Sequence, residues 1–165
     1  MEATTILAAE LPEEEQQESK AEEAYRRLLE RLSHQSVVRH FDAYADIPWD
    51  DPSYAIDPTD ARFELPPDDP LGGTAWYRDL SPPIRARLGL HMLASFARIG
   101  RSFESVLKRG LLEFASRLPE GAAELRYCYH EVIEEAQHSL MFEELVRRTG
   151  LEVRAPRILG VGELR

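Results

Sequence analysis

Apolar and polar positions follow three different rhythms along this chain. From about Glu13 to Ser33, Ala21, Tyr25, Leu28 and Leu32 recur every three or four residues, and Glu and Arg fill the positions between them. That period places the apolar side chains on one face of a helix. Val37, Val38, Phe41 and Tyr44 continue the spacing, which predicts a second, shorter helix around a bend. Between Asp46 and Pro83 the period is lost. This segment holds eight of the eleven prolines and the pair Gly72-Gly73. Prolines at that density remove the backbone donors that helices and central strands require. Trp49, Tyr54, Phe63, Trp76 and Tyr77 lie within it, so it reads as a long ordered arm with aromatic side chains to pack.

Helical periodicity returns at Ser81, a good N-cap followed by Pro82 at the first helical position. No proline interrupts Ile84 to Leu118, enough chain for a helix of about 52 Å. Pro119-Glu120-Gly121 breaks the pattern. A further helix is predicted from about Ala123 to Thr149, ending at Gly150 as a C-terminal cap. So short a break makes the two long helices antiparallel neighbours. There is no internal repeat and no sustained strand alternation. The reading is an all-α chain: one domain over residues 1–165, with an arm at 46–83 and a poorly ordered tail at 151–165.

Composition narrows the function classes. The chain has 165 residues and a formal charge of −10. The acidic excess lies in residues 1–31 and 42–70, and residues 71–165 are slightly basic. An acidic chain without a basic stripe argues against nucleic acid or an anionic membrane as partner. No apolar run approaches a membrane span, and the N-terminus has no basic n-region of a signal peptide. Cys128 stands alone, so a reducing, cytoplasmic location is the expectation.

Candidate chemistry sits on the two long helices. The last one reads His130-Glu131-Val132-Ile133-Glu134-Glu135-Ala136-Gln137-His138. Glu135 and His138 form a Glu-x-x-His pair about 60° apart on one face, one turn apart. A carboxylate and an imidazole so spaced reach the same metal ion. Glu131 lies about 20° from His138 on the same wheel, with Phe142 and Leu145 farther along and Cys128 at the other end. On the preceding helix Ala97, Gly100, Glu104, Leu107 and Leu111 form one row in which Glu104 is the single charge. A carboxylate facing an interior is costly unless it is paired or binds a metal. Two such helices match half of a carboxylate-bridged dinuclear bundle.

Structural readings compete with this one. Glu-x-x-His is common on helices, and Glu104 has Lys108 at i+4 as a salt-bridge partner. Glu134 and Glu144 are expected to be solvated. Glu113 lies about 180° from Glu104 and His91 about 220° round from it, so neither is expected to join Glu104. His34 and His40 lie outside the helical pair and have no assigned role. Cys128 reads as a small buried hydrophobe. Phosphate loops, Ser-His-Asp order and zinc-type Cys/His spacing are absent.

Taken together, Tyr25 to Gly150 resembles the N-terminal part of the p-aminobenzoate N-oxygenase family of non-haem diiron arylamine oxygenases. The resemblance rests on Ile47-Pro48-Trp49-Asp50, Trp76-Tyr77 before the Ser81 cap, Phe103-Glu104, and Tyr129 through His138. It implies a ferritin-like helical bundle, two iron ions, and oxidation of a small aromatic amine with O₂. It also implies Glu104 as the single-Glu ligand, Glu135 as the bridging carboxylate and His138 as the His ligand. The family supplies a second Glu, a second Glu-x-x-His and an additional His. None of these is found after Gly150, where Glu152 and Glu163 occur but no His. The resemblance therefore implies a bundle truncated to its N-terminal half. A homodimer or a separately encoded C-terminal half would complete it. The alternatives are a non-catalytic or remnant helical interaction module, which binds no metal unless it dimerises or pairs with a C-terminal half, and an iron-storing or metal-sensing half-bundle dimer.

Overall fold

The structure is a computed structural model that describes residues 13–154. Among these residues every regular element is helical. Helix α1 spans Glu13–Val38, α2 Ala75–Arg78, α3 Pro82–Arg117 and α4 Glu124–Thr149. Two 3-10 turns, Pro52–Tyr54 and Ala61–Phe63, punctuate the connection between α1 and α2. The α3–α4 pair is an antiparallel hairpin turned by Gly121 at φ 81°, and α1 lies against α4. This all-helical arrangement is that of a ferritin-like bundle. No described helix is long and apolar enough to cross a membrane.

Helix ends follow their sequence signals closely. Ser81 occupies the N-cap of α3 with Pro82 next, but its side chain makes no cap bond. Its backbone carbonyl instead accepts from the Ile84 and Arg85 N–H groups. Gly150 closes α4 in the left-handed region, φ 64°, and its N–H donates to the Arg147 carbonyl. A residue with a Cβ is strained there.

The α1 region differs from its expectation in two ways. The helix runs on to Val38, and no second helix follows. Val37 and Val38 are exposed, so nothing rewards a separate packed helix. Tyr25 and Leu28 are also largely exposed, and the contact face is carried by Leu29 and Ser33. Glu and Arg stems at the remaining positions leave the apolar spacing ambiguous by one residue.

The arm is ordered, and its aspartates explain how. Side chains of Asp51, Asp57, Asp60 and Asp69 each accept backbone N–H groups two or three residues on, as does Asp42 just before the arm. These Asx turns supply local hydrogen bonds where proline removes donors. Tyr77 is buried, its hydroxyl donating to the Arg85 carbonyl and accepting from the Leu65 N–H. Trp49 is half-buried under the Arg148 guanidinium, 5.4 Å from the ring centre. Tyr54 and Trp76 remain exposed and pack on little. The arm presses against α3 at Gly89, where an added Cβ would lie 1.7 Å from the Phe63 carbonyl oxygen. From residue 155 onward the expected tail lies outside the described residues.

Candidate metal centre

Glu104 comes from the middle of α3, and Glu135 and His138 from the middle of α4. Close approach of the helices brings them together. Ala94 and Ala97 are buried at the seam, and Gly100 admits the Phe142 ring, which an added Cβ would meet at 2.9 Å. Small residues on α3 thus lower it onto α4 beside Glu104. One ligating atom from each of Glu104, Glu135 and His138 lies within 4.8 Å of the other two. His138 Nδ1 is 2.8 Å from Glu135 Oε2 and 3.9 Å from Glu104 Oε1. The same imidazole nitrogen thus faces both carboxylates. Phe41 covers part of the ring, centroid to centroid 6.0 Å.

The two carboxyls are mostly shielded from water, and the imidazole edge is open. Burial, then the adjoining Glu135, pushes the Glu104 carboxyl above its usual range. Burial also works against ionised Glu135, but hydrogen bonds from Glu104 and His138 bring it below its ordinary value. Two carboxyls this close titrate as a coupled pair, one held up and the other down. A cation at this point would favour the ionised form of both.

Lys108 does not form the i+4 salt bridge to Glu104. Its ammonium crosses to α4, donating to the Glu135 carbonyl at 3.0 Å and to the Ser139 hydroxyl. Burial pushes it below its ordinary range. The carboxylate pair is therefore left without a directly bonded lysine.

The neighbouring acids divide sharply. Glu131 is engaged by the Tyr127 hydroxyl, which this hydrogen bond and burial push up to about 12. Glu134 is half-buried and accepts from the Phe41 N–H at 3.4 Å, and Glu144 is buried and paired with Arg147 and Arg148. Neither is fully solvated, contrary to expectation: the backbone at Phe41 covers Glu134, and Arg147 and Arg148 enclose Glu144. Sequence periodicity does not show where a proline-rich segment returns. Gln137, half-buried on the same helix, accepts from the Ala43 N–H and had carried no expectation. Glu113 pairs with Arg117 away from the site, and His91, His34 and His40 are exposed. Cys128 is buried, its thiol directed at the Leu111 carbonyl.

Oxygen and nitrogen donors in this set suit a first-row divalent metal. The fit to iron rests on that chemistry and on the surplus of acceptors at the three converging atoms. Three donors are fewer than a two-iron centre uses.

Comparison with known proteins places the geometry in context. A family model described as p-aminobenzoate N-oxygenase AurF matches residues 22–162. Uncharacterized proteins of Mycobacterium bovis and of two Mycobacterium tuberculosis strains are each 42% identical over 129 residues. Those alignments cover 78% of this chain and 38% of each relative, so the chain spans well under half the length of these curated relatives. No solved structure matches the chain.

Proposed function

This chain belongs to the p-aminobenzoate N-oxygenase AurF family, and from that membership we propose that Glu104, Glu135 and His138 are iron ligands of a diiron oxygenase centre. The reaction class is oxidation of an aromatic amine nitrogen by O₂, toward the hydroxylamine or nitro level. The observation that carries this reading is the convergence of two carboxylates and one imidazole from separate helices within 4.8 Å.

Iron bound here supplies the redox chemistry that activates O₂. The chain's own residues do the rest. Glu135, which holds His138 Nδ1 and adjoins Glu104, would be a carboxylate ligand to the iron, and Glu104 a second. A bound cation would offset the like charge that the two carboxyls bring together. His138 is held by Glu135 and by the Phe41 ring, which fixes the direction of Nδ1. Lys108 sits within Coulombic range of both carboxylates without bonding either, so it moderates their charge and leaves their oxygens free.

Among the described residues three donors converge, fewer than a two-iron centre uses, which favours a second reading, a helical module that holds no metal by itself. Iron content separates the two. The chain is reconstituted anaerobically with ferrous ion, and iron per chain is measured beside the Glu135→Ala and His138→Ala variants. Bound iron in the wild type and its loss in both variants support the oxygenase reading. Equal iron in all three, or none in the wild type, sinks it. An amine-oxidation assay on iron-loaded protein then separates an oxygenase from an iron store.

A further inference from the structure

Glu135 and His138 are each preceded by a polar residue that the ligand set leaves out, Glu134 and Gln137. One residue turns a helix by about 100°, so these two form their own i, i+3 pair on the flank of the ligand row. Both are spent on the chain that follows α1. Glu134 Oε2 accepts from the Phe41 N–H at 3.4 Å, and Gln137 Oε1 accepts from the Ala43 N–H at 3.0 Å. The Gln137 amide also donates to Asp42 Oδ2 at 3.2 Å.

The segment so gripped is short and fully bonded. Every backbone N–H from Phe41 to Asp46 has an acceptor. Glu134 and Gln137 take those of Phe41 and Ala43, Asp46 Oδ2 that of Asp42, Asp42 Oδ1 those of Tyr44 and Ala45, and the Asp42 carbonyl that of Asp46. Ala43 is buried, and its carbonyl accepts from the Trp49 indole N–H at 2.6 Å. Both polar groups of that residue are therefore satisfied without water. The Tyr44 and Ala45 N–H groups hold the Asp42 carboxyl below its usual range, so it remains an acceptor. That sets the Gln137 amide one way round, nitrogen to Asp42 and oxygen to the Ala43 N–H.

The side chain that this segment delivers is Phe41. Its ring lies against the His138 imidazole, with centroids 6.0 Å apart and planes tilted by 39°. The imidazole is 40% exposed, and its hydrogen bond runs from Nδ1 to Glu135. A single hydrogen bond lets a ring swing about that contact, and a second ring packed against it stops the swing. Sequence places Phe41 nearly a hundred residues from His138, so only the grip of α4 on the segment brings the two together.

We propose that Gln137, assisted by Glu134, is a positioning residue for His138: it pins Phe41–Ala43 to α4 and thereby holds the Phe41 ring against the imidazole. Its use to the protein rests on the reading of His138 as an iron ligand, whereas the clasp itself rests on hydrogen bonds and packing alone. Partners of this kind, one step removed from a metal, change its affinity by about 10–100-fold.

The test uses the full chain. In chelator, a nuclear Overhauser contact between Phe41 ring protons and His138 imidazole protons is expected in the wild type and is lost in Gln137→Leu. Gln137→Glu sets a carboxylate against Asp42 and loses the contact as well. Asp42→Asn combined with Gln137→Glu reverses donor and acceptor, keeps an oxygen for the Tyr44 and Ala45 N–H groups, and restores it. Ferrous ion is then titrated anaerobically. Its dissociation constant is expected to rise by about tenfold or more in both single Gln137 variants and to return to within about threefold of the wild type in the double variant. Rescue by the reversed pair separates positioning from a general loss of packing. A wild type without the ring contact overturns the proposal. So does a Gln137→Leu protein that keeps the contact or binds ferrous ion as tightly as the wild type, and so does a double variant that restores neither. A wild type that shows the contact, loses it in Gln137→Leu and takes up no ferrous ion sinks the oxygenase reading and leaves the clasp standing.

Discussion

The end of the molecule where the arm meets α4 and the middle of the α3–α4 hairpin both bury carboxylates, and they treat them in opposite ways. At the arm end Glu144 is flanked by Arg147 and Arg148, and Arg148 continues to Asp50 and the Trp49 carbonyl. Arg85 likewise meets Glu64 as well as the Arg78 and Leu80 carbonyls. Glu144 and Glu64 there each have a cation. At the hairpin centre Glu104 and Glu135 face each other and His138, while Lys108 is spent on a carbonyl and a hydroxyl. Charges that hold a fold are matched within the chain. At the hairpin centre the carboxyls are left in excess of their partners.

The largest expected effect lies at the matched end. Tyr77→Ala empties a buried aromatic site and removes the hydroxyl that joins Leu65 to Arg85. A loss of about 3–5 kcal/mol is expected in urea unfolding. Tyr77→Phe keeps the ring and strands the Leu65 N–H, for about 1–3 kcal/mol. If Tyr77→Ala costs under about 1 kcal/mol, the arm is a passenger rather than part of the folded unit, on the scale expected for large-to-small core changes.

Next comes the Glu144 cluster. The Arg147 and Arg148 guanidiniums hold the Glu144 carboxyl down at about 2. Glu144→Gln removes the anion from between two cations and is expected to cost about 2–3 kcal/mol, less than a fully buried pair because Arg147 is largely exposed. The same group sets an acid limb. Its folded value lies below its ordinary 4.5, so its contribution is complete above about pH 4.5 and is lost as pH falls toward about 2. Unfolding free energy of the wild type should fall over that range more steeply than that of Glu144→Gln. Parallel curves would show that the cluster carries no net coupling.

Much of this contrast was legible in the chain, though unevenly. The Ser81-Pro82 start and the Gly150 stop of the long helices follow from local steric rules, which act whatever the tertiary setting. Glu104 stood out because it was the single charge in an apolar row, and Glu135 and His138 because their spacing fits one helical face. The fate of Glu134 and Glu144 was not legible, because it depends on where the chain from Phe41 to Asp50 folds back over α4. No periodicity carries that, and aspartate–proline sequence encodes turns without encoding their destination. Val37 and Val38 misled for a related reason: apolar spacing shows what a segment is able to bury, and only a facing surface decides whether it does.

The smallest effect tests the hairpin centre most directly. Glu104→Gln replaces a carboxyl that burial and the adjoining Glu135 hold above its usual range with an uncharged amide of the same shape. In chelator its stability should lie within about 1 kcal/mol of the wild type, since removing one charge from a like-charged pair costs little and can relieve strain. Ferrous ion should then separate the two proteins. Added anaerobically at 100 times its dissociation constant, it would stabilise the wild type by about 2.7 kcal/mol and the variant by much less. Paired melting curves, with chelator and with ferrous ion, read both quantities at once. A Glu104→Gln protein as unstable in chelator as Glu144→Gln would mean that Glu104 is matched within the chain after all, and the difference between the two ends of the molecule would be one of degree.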